Sequence, residues 1–162
     1  MFSSVDQETK TKFFRVLDLS LRSPILPSKM IAAFIKRLAR VMISQGTLLS
    51  VNETMFSIAM IANLIKRHPR CLRLVQRKKL ALSTGIRLSS DPYKENEKDP
   101  LLAKALKSSL WEIQILMKKH YDQRVRDFCK LFRTNFLGKT VFYKAEDFIS
   151  LDPLNSIITD LE

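Results

Sequence analysis

The sequence predicts an all-α protein, and three observations carry that reading. The 162 residues include only 3 glycines, they lack the alternating Val/Ile/Thr runs of strands, and long stretches rich in Leu, Ile, Lys, Arg, Ala and Met favour helix. A hydrophobic content of 46% in a chain of this length suffices to bury a core. The two cysteines, Cys71 and Cys129, each fall inside an apolar helical pattern. Both are expected as small core residues in a reducing compartment, with a disulfide as the alternative. The segment from Met1 to Lys12 is polar and lacks the apolar run of a secretory signal. The most membrane-like window, Val41 to Ile65, is interrupted by Gln45, Gly46, Ser50 and Asn52; its unbroken part, Thr54 to Ile65, falls short of the roughly 20 residues that span a bilayer. No membrane insertion is expected.

The first helix is expected from Val5 to Leu21, with Phe13, Phe14, Leu17 and Leu21 at helical spacing, stopping before Pro24 and Pro27. A second, from Ser28 to Ser44, carries the apolar stripe Ile31, Phe34, Ile35, Leu38 and Met42, which leaves Lys29, Lys36, Arg37 and Arg40 as a cationic face. Ser50 and Glu53 then fit a capping box that opens a third helix, to Lys66. That helix is apolar nearly all round, so it should form the centre of the core. Pro69 suits a first helical position and starts a short fourth helix, where Arg70, Arg73 and Arg77 share one face and Leu72 and Val75 lie on another. A loop over 80–99 separates this basic part from the rest. Asp99-Pro100 reads as the start of a fifth helix to Tyr121, with Leu102, Leu106, Leu110, Ile113 and Met117 as its buried stripe and Trp111 beside it. Asp122 caps a sixth, with Val125, Phe128, Cys129 and Phe132. The last stretch, 140–162, is acidic and aromatic, and is expected either to fold back on the body or to dock on another protein.

Charge divides the chain. Residues 1–90 hold 16 Lys and Arg against 4 Asp and Glu, and residues 91–162 hold 12 of each. Seven cations, Lys66, Arg67, Arg70, Arg73, Arg77, Lys78 and Lys79, fall within 66–79 with no acid among them. Such a cluster reads as an RNA-phosphate surface, against the plainer reading of a solvated helix face, and its two sub-clusters have bipartite-like spacing for nuclear import. Phosphate-binding glycine loops, nucleophile elbows and metal-protease helix motifs are missing from the sequence. His68, Cys71, His120 and Cys129 lack standard zinc spacing, and the carboxylates Asp91, Glu95, Glu97 and Asp99 read as loop charges and caps rather than a catalytic set. No enzyme activity, cofactor, metal or small-molecule substrate is expected.

Four ordered blocks carry a family resemblance: FRVLDLSLRSPILPSKMIAAFIKRLARV (Phe14 to Val41), IANLIKRHPRC (Ile61 to Cys71), Asp91-Pro92-Tyr93 with Asp99-Pro100, and ALKSSLWEIQ (Ala105 to Gln114). With His120-Tyr121 and YKAEDFISL (Tyr143 to Leu151) they resemble the CCAAT-binding-factor domain of nucleolar complex proteins, above all the nucleolar complex protein four branch, over residues 13–151. The resemblance implies a HEAT-like helical-repeat fold and a nuclear, nucleolar, non-catalytic ribosome assembly factor. It implies small-subunit pre-ribosomes, processing of the small-subunit rRNA precursor, and a partner like nucleolar protein fourteen. Counterparts carry a long helical region before this domain, so the chain is expected to be a fragment of such a protein or a reduced homologue whose first helix faces solvent or a partner.

The combined expectation is one domain over 1–162, a bundle of about six helices, with a basic part (1–79), a loop (80–99), a neutral part (100–139) and an acidic tail (140–162). Lys36, Arg37, Arg40, Lys66, Arg67, Arg70, Arg73, Arg77, Lys78 and Lys79 are the expected contacts to pre-rRNA; Asp91, Pro92, Tyr93, Trp111, Phe142, Tyr143 and Phe148 are the expected contacts to protein. Trp111 and the tail aromatics read as core or intramolecular residues before they read as stacking platforms for bases. The alternatives are a pure protein-interaction module whose basic face binds an acidic segment, and a DNA-binding transcription factor, which lacks an identifiable recognition helix.

Overall fold

A computed structural model describes residues 7–44, 49–76, 91–134, 142–144 and 146–149. The described residues are all-α, consistent with a helical-repeat bundle, and contain no strand. The first three helices are α1 (Gln7–Ser20), α2 (Ser28–Ser44) and α3 (Val51–Arg67). Their boundaries follow local chemistry. At the start of α3 the Ser50 hydroxyl accepts from the Glu53 amide at 3.2 Å while the Glu53 carboxylate accepts from the Ser50 amide at 2.8 Å, the reciprocal pairing that the sequence predicts. At its other end the His68 amide donates back to the Leu64 carbonyl, and Pro69 opens a 3-10 turn (Pro69–Leu72) that runs on into helical residues 73–76.

Helix α3 is the axis of the core, as its near-continuous apolar sequence requires. Phe56, Ile58, Ile61, Leu64 and Ile65 are buried on it, each contributing roughly 1.5–3 kcal/mol relative to exposure. It packs against α2 and against residues 123–129 and 146–149. The Cys71 and Cys129 side chains are both buried and not joined in a disulfide, and burial pushes the Cys71 thiol up to about 11.

The second half departs from expectation between 100 and 110. Asp99 does accept the Leu101 amide, at 2.8 Å, but only a turn follows, and Leu101 and Leu102 stay exposed. Lys104 adopts a left-handed conformation (φ 56°), a 3-10 turn covers Ala105–Lys107, and helix α4 begins only at Trp111 and ends at Lys119. Ala103 and Ala105 are buried instead of the expected Leu102, and the Leu110 amide ties back to the Leu74 carbonyl at 2.8 Å. Leu110, Ile113 and Met117 do face the core. Asp122 caps α5 (Gln123–Cys129), as its sequence suggests, and a 3-10 turn (Lys130–Arg133) follows. The short helix α6 (Glu146–Ile149) returns to α3.

Candidate nucleic-acid and protein interface

Lys36 sits on the same face of α2 as Ala32 and Ala39, at i−4 and i+3, and the small alanines leave room for its long stem. The side chain is fully buried (0% exposed) and its ammonium donates to Glu112 Oε1 at 2.5 Å, to the Ser109 carbonyl at 2.9 Å and to Asp91 Oδ2 at 3.2 Å. One turn later Arg40 donates to Glu112 Oε1 at 2.8 Å and Asp91 Oδ2 at 3.0 Å. Two cations and two carboxylates thus balance inside the protein.

Asp91 is the hub. Its Oδ1 accepts from the Ser108 hydroxyl at 2.5 Å and the Tyr93 amide at 3.1 Å, while Oδ2 also accepts from the Trp111 indole N–H at 2.7 Å. Burial works to raise this carboxyl, but the hydrogen bonds from Ser108 and Trp111, the Lys36 charge and the Tyr93 amide outweigh it and bring it down to about 2. Burial raises the Glu112 carboxyl against the pull of Lys36 and Arg40. The aromatic rings complete the enclosure: Arg40 Cζ lies 4.5 Å from the Trp111 ring centre, and the Lys36 ammonium lies 5.3 Å from Trp111 and 5.5 Å from Tyr93.

This arrangement corrects the expected role of the α2 cations. A phosphate has no access to Lys36, and Arg40 is held by Asp91 and Glu112 with Glu95 at 3.7 Å, so both are engaged within the chain. Arg37 is exposed but donates to the Glu95 carbonyl at 2.9 Å, fastening the 91–99 turn. Asp91, Tyr93 and Trp111 are likewise engaged within the chain rather than offered to a partner; Pro92 between them is exposed. Periodicity missed the network because it sorts every Lys and Arg of an amphipathic helix to the solvent side; the signal was the alanines around Lys36.

Elsewhere on α3, tail residues 142–144 and 146–149 pack in cis. The Asn63 amide donates to the Tyr143 carbonyl at 2.8 Å and its side-chain oxygen accepts from the Tyr143 amide at 2.9 Å. Tyr143 and Phe148 pack with Phe128, and Phe148 is buried. Phe142 lies 4.9 Å from Arg67 Cζ, and the Lys66 ammonium lies 5.3 Å from the Tyr143 ring. Arg67 also meets Asp18 of α1 at 3.5 Å. Burial, then the Arg67 charge, lowers the adjacent His68 imidazole below the usual histidine range.

Two surfaces stand out as open among the described residues. Arg70 and Arg73 are exposed on the turn that follows α3; Arg77, Lys78 and Lys79 lie outside the described residues. Helix α1 packs Phe14, Leu17 and Leu21 against the core, with the Phe14 ring 4.7 Å from Phe56, yet leaves Phe13, Val16 and Leu19 more than half exposed, with Ile25 beyond them. Phe13, Val16 and Leu19 are not among the expected partner contacts, although a first helix facing solvent or a partner is one of the two alternatives that the resemblance implies. Among the described residues no three His, Cys, Asp or Glu side chains are placed to hold a metal, and an open depression of about 430 Å³ at 94–98 gathers Lys94, Glu95, Asn96, Glu97 and Lys98 without a nucleophile. No helix of the described residues is long and apolar enough to cross a membrane.

The profile of the CBF/Mak21 family matches residues 2–129. The chain belongs to the CBF/Mak21 family. Among curated proteins, the human Nucleolar complex protein 4 homolog is 40% identical across 72% of this chain and 20% of its own length. The Nucleolar complex protein 4 homolog A of Xenopus laevis is 38% identical across 72% of the chain. The Saccharomyces cerevisiae Nucleolar complex protein 4 is 34% identical across 86% of the chain and 26% of itself. The chain thus spans about a fifth to a quarter of the length of these CBF/Mak21 relatives. Three of the four blocks that carry the resemblance in sequence, on α2, at 91–93 and at 105–114, meet in the Lys36–Asp91–Glu112 network. Those blocks make an internal lock.

Proposed function

We propose that this CBF/Mak21 protein is a non-catalytic ribosome assembly factor acting in small-subunit pre-ribosomes, which binds pre-rRNA phosphates and a protein partner. Nucleolar localisation goes with the family: the relatives carry the nucleolus in their names. The observation that carries the reading is the placement of charge. Lys36 and Arg40 of α2 are neutralised by Asp91 and Glu112, whereas Arg70 and Arg73 stand exposed in a stretch of sequence, 66–79, that holds seven cations and no acid. An unbalanced cationic surface attracts a polyanion without reading its bases. The exposed apolar face of α1 supports the second half of the proposal, because a row of Phe13, Val16 and Leu19 suits a helical segment of another protein. By family resemblance that partner is one like nucleolar protein fourteen, and the single domain over 1–162 is the unit that binds both.

The test is purification of the tagged protein from cells, with its RNA and protein partners identified, beside an Arg70→Glu/Arg73→Glu variant. The proposal expects small-subunit rRNA precursor with the unaltered protein, and loss of RNA crosslinks with the partner retained in the variant. Loss of the partner with crosslinks intact would favour a pure protein-interaction module whose basic face binds an acidic segment.

A further inference from the structure

Lys66 and Arg67 belong to the cationic cluster by sequence, yet they are not presented as Arg70 and Arg73 are. Both are half-buried, and the returning tail lies over them: Phe142 is 4.9 Å from Arg67 Cζ and 5.8 Å from the Lys66 ammonium, and Tyr143 is 5.3 Å from the same ammonium. The tail is fixed at that point by its backbone. A side-chain amide that donates to the carbonyl and accepts from the N–H of one residue pairs with it as a neighbouring strand would, and Asn63 holds Tyr143 in this way. Phe148 anchors the other end in the core beside Phe128. By sequence the stretch 142–149 carries one cation, Lys144, against two acids, Glu146 and Asp147. The cover over the cations is therefore aromatic and, on balance, anionic.

We propose that residues 142–144 and 146–149 act as a strap that shields Lys66 and Arg67 from polyanions, so that binding of RNA phosphates and docking of the strap compete. The inference rests on the phosphate-binding reading above and adds its regulation. Cation–π contacts at a partly exposed site are worth about 0.5–1 kcal/mol each, which makes Phe142 (44% exposed) a weak contact of the strap beside the stronger Asn63 clasp on Tyr143. Opening the strap uncovers Lys66 and Arg67, the latter 3.5 Å from Asp18, beside the surface that already includes Arg70 and Arg73.

The experiment measures binding of a labelled RNA hairpin by fluorescence anisotropy over a range of salt, using the full chain and two variants, Asn63→Ala and Phe142→Ala. Asn63 is buried and its replacement risks the fold; Phe142 is exposed and its replacement does not. The proposal expects both folded variants to bind about 5- to 10-fold tighter at low salt, with a log–log salt slope steeper by about 1 to 2, as expected for one or two further neutralised phosphates. Variants that match the unaltered protein in affinity and slope would overturn the strap and leave the phosphate-binding reading intact. If none of the proteins binds the hairpin, the phosphate reading falls and the strap proposal with it.

Discussion

At the scale of single residues, the centre of the structure is a carboxylate. Asp91 accepts from five donors, four of them side chains, Lys36 and Arg40 of α2 and Ser108 and Trp111 of the 105–114 block, which would not otherwise meet. Its side chain is only 9% exposed, so removing its charge leaves Lys36 and Arg40 short of a partner in a desolvated site. Breaking such a buried pair costs about 3–5 kcal/mol, and we expect Asp91→Asn to lower the unfolding free energy by that order in urea titrations at neutral pH. The pH dependence follows from the depressed carboxyl. Between its ordinary value of 3.8 and about 2 the unfolded chain binds the proton and the folded chain does not, so the stabilisation is present above about pH 4 and is lost as pH falls towards 2. Trp111 is the only tryptophan and donates to Asp91, so its emission reports this titration directly. The expected result is a change in emission below pH 4 that is missing from Asp91→Asn; an identical acid profile in the two proteins would show that Asp91 does not hold Trp111. The Lys36 contact was not legible in sequence, because nothing in a helical wheel tells a solvated lysine from one aimed at a partner 55 positions away. Its surroundings, Ala32, Ala33 and Ala39, were legible.

At the scale of elements, local signals succeeded where nothing competed with them. The capping box of α3, the Pro69 turn and the Asp122 cap all form as their residues dictate. Asp99-Pro100 is an equally strong local signal, and it yields a single turn. The reason is tertiary: Ala103 and Ala105 must reach the core and Ser108 must reach Asp91, and a straight helix from 100 to 121 would carry these residues past α2. The break is made at Lys104, which has no glycine's freedom at φ 56° and bears a cost of roughly 1 kcal/mol for its left-handed backbone. Lys104→Gly should therefore stabilise the protein by up to about 1 kcal/mol, read as a rise in the midpoint of thermal unfolding. A fall in that midpoint would mean that the lysine side chain contributes more than its backbone costs.

At the scale of the whole molecule, the division of charge along the chain is only partly a division of surface. Two of the cations counted in the basic half, Lys36 and Arg40, are matched by Asp91 and Glu112 from the neutral half, so the two halves are held together by the very charges that seem to separate them. What remains outward is a cationic turn after α3, an aromatic strap over its neighbours, and an apolar face on α1. The all-α class and the central place of α3 were legible because a helix apolar on all sides has to be surrounded. The open apolar face was not singled out, because an exposed Phe13 and a buried Phe14 look alike until the helix is docked. The central claim is that the exposed cations meet RNA phosphates, and the salt dependence of binding tests it most directly. Titration of a structured RNA into the full chain between about 50 and 200 mM salt should give an affinity that falls steeply, with a log–log slope near −2 or steeper for two or more phosphate contacts. An affinity that stays level across that range would contradict the account.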